Sequence, residues 1–244
     1  MKIDISAVVL LGMAMRICAL SGEEIIEKMD ANRDHTTIAS TATMTIHIGD
    51  EVRTKSMTIW GITKGNKSIV EFTNAEDRGT KYLMLDDNLW IYFPDEDDVV
   101  KISGHMLKEG MMGSDVSYED ALESDKLSDK YAITLTGEQR LSGTDCYVVE
   151  LDAKTKDAPY DKRKMWVDKV TFVSMKEEMY AKSGKLLKEA LVLEMKKIGK
   201  RNVPVKSEMI NKLRKNSKTV FEMKDIEFDA PMKEEMFSLR WLRR

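Results

Sequence analysis

From residue 41 onward, apolar side chains recur at every second position in short runs divided by turn residues, and this rhythm restricts the fold more than any other feature. In 41–48, Ala42, Met44, Ile46 and Ile48 share one side, while the threonines and His47 share the other. That is the pattern of a strand with one face in a core. Gly49-Asp50 turns the chain, 54–60 returns, and Lys64-Gly65-Asn66 leads into 68–73. Strands at 81–85 and 89–93 flank the polar turn Asp86-Asp87-Asn88, and 99–102 pairs back. Further strands are predicted at 131–135, 146–151, 165–167, 172–180, 186–195, 203–213 and 219–228. The sum is about ten to twelve strands in an antiparallel meander. A sheet this wide must curl, close or pack against something to hide its apolar face.

Two stretches break the rhythm. Ser21-Gly22-Glu23-Glu24 has the form of a capping box, with Ile25, Ile26 and Met29 on one face of a helix ending near Asn32. Residues 103–130 are rich in Gly, Ser, Asp and Met, and read as a long loop carrying a short helix near 118–122. Loops of this length in compact domains are often covers or binding segments. No Pro/Gly/Ser-rich linker divides the chain, so 22–244 is read as a single domain. Residues 1–21 read as a signal segment. Lys2 precedes an apolar run too short to span a bilayer, and Ala19-Leu20-Ser21 offers a small-x-small cleavage site. Met15-Arg16-Ile17 before Cys18 lacks the small residues of a lipidation signal. Location in the periplasm, or otherwise in a cell envelope, follows.

Chemistry-bearing patterns are sparse. A net charge of −3 gives no basic footprint for nucleic acid. His35, His47 and His105 fall in no metal-ligand spacing. Cys18 and Cys146 suggest neither a disulfide framework nor a metal site, and Cys146 reads as a packed thiol in a strand. Ser114 and Asp115 lie outside any nucleophile elbow. Asp95-Glu96-Asp97-Asp98 lacks the ligand spacing of a calcium loop and reads as a solvated turn. An enzyme, a cofactor and a metal site are therefore not expected. The 18 methionines are unusual for 244 residues. Their ordinary use is core packing, but flexible thioethers also suit a surface that takes apolar chains of variable shape.

The segments Arg78-Gly79-Thr80-Lys81-Tyr82-Leu83, Leu89-Trp90-Ile91-Tyr92-Phe93-Pro94, Val100-Lys101-Ile102-Ser103-Gly104 and Met112-Gly113-Ser114-Asp115-Val116-Ser117-Tyr118-Glu119-Asp120 occur in this order. Met165-Trp166-Val167-Asp168-Lys169 and 221–228 follow. Together they resemble the LolA-like family of outer-membrane lipoprotein-sorting proteins, in a branch with the Met-Gly-Ser-Asp block. The chain departs from the family pattern in two places. Val173-Ser174 stands where a Pro is usual, and the basic run before Ile102 is reduced to Lys101 behind Asp97 and Asp98. The resemblance implies a mainly β (α+β) fold, an unclosed antiparallel β-barrel or half-barrel with covering helices and a lid-like insertion. It also implies a non-enzymatic periplasmic carrier for lipoprotein acyl chains or other lipids, without a cofactor. Such a carrier would work between an inner-membrane transporter and an outer-membrane acceptor, with transient membrane contact. The alternative is a ligand-sensing or interaction module of the envelope without transfer activity.

On this reading, an apolar hollow withdraws acyl chains from water at roughly 0.8 kcal/mol per CH₂. Met44, Ile46, Met57, Ile59, Leu83, Leu85, Trp90 and Tyr92 are the expected walls, and Met106, Leu107, Met111 and Met112 the expected lid. The wall assignments depend on strand register, because a slip of one residue inverts them.

Overall fold

The computed structural model describes residues 20–244 except 33, 124 and 125. Residues 1–19, which hold most of the expected signal segment, lie outside the described residues. Helix α1 (Gly22–Asn32) opens as expected. The Glu24 amide donates to Ser21 Oγ at 3.1 Å, and the Ser21 amide donates to Glu24 Oε2 at 2.7 Å. Gly22 is required by packing, since a Cβ there would lie 2.9 Å from the Leu135 amide nitrogen.

The first six strands are β1 (Thr37–Ile48), β2 (Glu51–Ile62), β3 (Lys67–Phe72), β4 (Lys81–Leu85), β5 (Asn88–Phe93) and β6 (Asp98–Ile102). After the insertion come β7 (Tyr131–Leu141), β8 (Thr144–Ala153), β9 (Lys162–Asp168) and β10 (Ser174–Tyr180). The last three are β11 (Leu186–Ile198), β12 (Arg201–Asn211) and β13 (Ser217–Phe228). They form one 13-stranded sheet in the order β6-β5-β4-β3-β2-β1-β13-β12-β11-β10-β9-β8-β7, antiparallel throughout and not closed.

This order explains the insertion. The chain meanders outward from β1 to one edge at β6, then resumes at the opposite edge with β7. The connection therefore has to cross a face of the sheet. It does so with 3₁₀ turns at Gly104–Lys108 and Met111–Gly113, then α2 (Tyr118–Leu122) and α3 (Leu127–Lys130).

The two faces bury different sets of residues. On the concave face, Ala42, Met44, Ile46, Met57, Val70, Phe72, Tyr82, Leu89, Ile91 and Ile102 pack under the insertion through Leu107, Met111, Met112, Tyr118 and Leu122. Further round the same face, α1 and α3 cover β7–β9, with Ile25, Ile26, Met29 and Leu127 against Ile133, Val149, Leu151, Met165 and Val167. On the convex face, Ile62, Ile69 and Leu83 pack with Trp60, Leu85, Trp90 and Tyr92. These are covered by the C-terminal tail, which carries a 3₁₀ turn (Glu234–Met236) and α4 (Leu239–Leu242) and contributes Phe237, Trp241 and Leu242.

Register corrects one expectation. Val70 pairs with Tyr82, and Tyr82 with Ile91, so Tyr82, Met84, Leu89 and Ile91 face the hollow. Leu83, Leu85, Trp90 and Tyr92 then point to the convex side, away from Met44, Ile46, Met57 and Ile59. The period of two enforces this, because adjacent residues of a strand cannot share a face.

Candidate functional site: an apolar cavity on the concave face

The concave face is wider than its two covers. Between the insertion over β1–β6 and α1 over β7–β9, part of β9–β13 has no helix on it. There a cavity of about 390 Å³ remains. Its walls come from Ala190 and Val192 of β11, Val203 and Ser207 of β12, Met223 and Phe228 of β13, and Ile38 of β1. Met165 of β9, Val173 and Met29 of α1 line it as buried residues. Asn32, His35, Asn202 and the exposed Pro204 also line it, nearer to solvent. The register shift of β11 between Val192 and Met195, and that of β13 opposite Ala39/Thr41, both fall in this region. Shifts of this kind bend a strand locally.

A larger depression of about 570 Å³ lies beside Glu150, Asp152, Lys162, Lys164 and Tyr180. Its charged lining suits water and ions, not hydrocarbon. No group of three or more His, Cys, Asp or Glu among the described residues is arranged to hold a metal ion.

Away from the cavity, polar anchors hold the insertion on β11–β13. Asp115 is buried. Its carboxylate accepts from Ser217 Oγ at 2.5 Å and Thr219 Oγ1 at 2.8 Å, and its amide donates to Thr219 Oγ1 at 2.9 Å. Arg214 donates to the carbonyls of Gly113 and Ser114 at 3.0 and 3.1 Å. Gly110 lets the loop close, since a Cβ there would stand 2.0 Å from the Ser114 carbonyl oxygen. Ser117 and Asp120 form a capping box on α2. The Asp120 carboxylate also takes Lys188 of β11 and the hydroxyl of Tyr160. Burial alone would raise the Asp120 pKa, but Lys188, the Tyr160 hydroxyl and the Ser117 amide hold it below the usual carboxylate value.

Deeper, Arg163 of β9 is shared between Glu123, which follows α2, and Glu177 of β10, which lines the cavity. Burial opposes its charge, yet the two carboxylates raise its pKa above the ordinary guanidinium value. The Met-Gly-Ser-Asp block is thus an anchor for the insertion, and Ser114 and Asp115 are occupied by structural hydrogen bonds.

The residues expected to bind ligand are dispersed. Met44, Ile46 and Met57 are fully buried under the insertion, with Ile59 beside them. Leu83, Leu85, Trp90 and Tyr92 face the C-terminal tail. Leu107, Met111 and Met112 fill the hollow over β1–β6 instead of lining an open space, and Met106 is exposed at 39%. None of the twelve lines the apolar cavity. The cavity residues carried one weak sequence signal, the alternation of Ala190, Val192, Val203, Ser207 and Met223 along late strands. Nothing local marked that face as uncovered.

Comparison with known proteins agrees with the architecture. A family model described as "Uncharacterized protein" matches residues 64–244. No curated protein matches the chain. A DUF1329 family protein from Desulfovibrio piger is 28% identical with a TM-score of 0.86, covering 91% of this chain and 97% of that one. A candidate outer membrane lipoprotein-sorting protein domain from Vibrio parahaemolyticus is 26% identical with a TM-score of 0.83, covering 91% and 98%. A LolA superfamily protein from Nitrosomonas europaea, at 23% identity and a TM-score of 0.75 over 91% and 100%, shares the fold.

Proposed function

Since the chain belongs to the family of uncharacterized proteins whose model spans residues 64–244 and is LolA-like in fold, we propose that it is a non-enzymatic envelope carrier. Its cargo is the acyl chain of a lipoprotein or another lipid, held in the cavity between α1 and β9–β13 and moved between membranes. The observation that carries this reading is a cavity of about 390 Å³ walled by Ile38, Met165, Val192, Val203 and Met223. Apolar walls gain by taking hydrocarbon out of water. Placement in the periplasm, an inner-membrane donor and an outer-membrane acceptor belong to the same proposal. No helix among the described residues is long and apolar enough to cross a membrane.

Binding and transfer are tested separately. Lipid extraction and native mass spectrometry of protein purified from its own envelope should yield a bound lipid. Incubation with donor and acceptor vesicles should then move labelled lipid at a rate that rises with protein concentration. A protein that is empty on extraction and refuses added lipid would contradict the proposal. The anchoring of the insertion through Asp115, Asp120 and Glu123 favours a second reading, a sensor that binds lipid without delivering it. Bound lipid without transfer would select that reading.

A further inference from the structure

Resting on the carrier reading, we infer that the cavity takes one hydrocarbon chain at a time, and that the chain's anionic headgroup sits at the mouth beside His35 and Lys28. Single occupancy follows from space. About 390 Å³ lies near the lower end of the ~300–1,000 Å³ typical of a site for one small molecule. The rest of the hollow over β1–β6 is filled by the insertion's own Leu107, Met111 and Tyr118. A triacylated anchor does not fit this volume without moving the insertion, which Asp115, Asp120 and Glu123 tie to three different strands.

The headgroup follows from the mouth. His35 lines the cavity, and its Nδ1 is buried with no hydrogen-bond partner among the described residues. A buried polar atom left without a partner is costly, and a turn of the half-buried ring toward the cavity would give it a ligand oxygen. His35 packs against the wall residue Phe228, with ring centroids 5.3 Å apart. The Arg201 guanidinium lies 4.7 Å from the centroid of the same Phe228 ring. Lys28 places its ammonium 5.3 Å from the ring of Phe172, a second wall residue. Asp229 already pairs with Arg201 at 2.8 Å, and Glu177 is held by Arg163, so these two acids are engaged, while Lys28 stands exposed beside Phe172 at the edge of the cavity wall. A carboxylate or phosphate on a single chain matches this arrangement: hydrocarbon inside, charged oxygen against the imidazole and the ammonium. Free fatty acids and monoacyl phospholipids both present that chemistry.

The test uses delipidated protein and isothermal titration with palmitate, 1-palmitoyl lysophosphatidylglycerol, hexadecanol and a tripalmitoylated peptide. The expected result is one molecule of palmitate or of the lysolipid per chain, bound about tenfold more tightly than the neutral alcohol. The preferred of the two identifies carboxylate or phosphate as the natural head. His35→Leu should bring the anionic ligand close to the affinity of hexadecanol. Lys28→Ala, an exposed change that leaves the core intact, should weaken the anion severalfold and leave hexadecanol unchanged. Equal binding of hexadecanol and palmitate, or no effect of either variant, would overturn the headgroup assignment. Tight binding of the tripalmitoylated peptide alone would overturn the inference while leaving the carrier reading in place. Refusal of all four ligands would remove both.

Discussion

The two halves of the concave face start from the same kind of strand and end differently. Over β1–β6 the hollow is packed solid, with Met44, Phe72 and Leu89 fully buried beneath Met111 and its neighbours. Over β9–β13 the same face keeps a cavity, because α1 reaches only part of it and the insertion is pinned on the other side. A greasy face therefore does not by itself make a binding site. What decides is which part of the face the connection from edge to edge leaves uncovered. Met serves both halves, filling one through Met44, Met57 and Met111 and lining the other through Met29, Met165 and Met223.

The two halves are joined at Arg163, and the largest effect is expected there. Arg163→Ala leaves the half-buried Glu123 and Glu177 without their buried cation, which costs up to about 3–5 kcal/mol. Urea denaturation should show that loss as a lower midpoint. In the packed half, Ile46→Ala removes a side chain that is 1% exposed and should cost about 2–5 kcal/mol. It should leave lipid occupancy unchanged in the folded fraction. Asp115→Ala strips the hydroxyls of Ser217 and Thr219 of their acceptor and should cost roughly 1–3 kcal/mol. Faster amide exchange confined to 103–122 would show that the loss lies in the insertion. Acid should act at the same place. The Asp120 carboxyl is held below its ordinary pKa in the folded protein. Its contribution is therefore complete above the unfolded value and is lost as the pH falls through that value toward the folded one. Thermal stability measured downward from neutral pH should drop across the carboxylate range, and Asp120→Asn should flatten that drop. The smallest stability change is expected at Ala190→Phe, which adds a ring into empty space. It should leave the unfolding midpoint near the wild type's while abolishing lipid binding in titration.

Much of this was legible in the sequence. The capping residues Ser21 and Glu24 and the alternation of β1 are local signals that stand where the residues predicted, and the expected turn at 86–88 is found at 86–87, with Asn88 already in β5. The LolA-like architecture followed from the Met-Gly-Ser-Asp block and its flanking strands. The face assignment of β4 and β5 was not legible, because Tyr82-Leu83-Met84-Leu85 is apolar on both sides and either register looks buried. The tail was missed for a related reason. Met232, Met236, Phe237 and Trp241 are scattered over short turns with no helical period, yet they cover Leu83 and Trp90. The cavity left no local mark, since it exists only where covers fail to meet. The role of Asp115 was equally hidden, because its partners Ser217 and Thr219 lie about a hundred residues away in sequence.

Photo-cross-linking with a diazirine-bearing fatty acid, followed by peptide mapping, locates the bound chain on the sheet. Adducts on Met29, Met165, Val192 or Met223 are the expected result. Adducts on Met44, Ile46 or Met57, with the β9–β13 side unlabelled, would show that the packed half opens to receive the chain and would rule out the cavity on β9–β13 as the site.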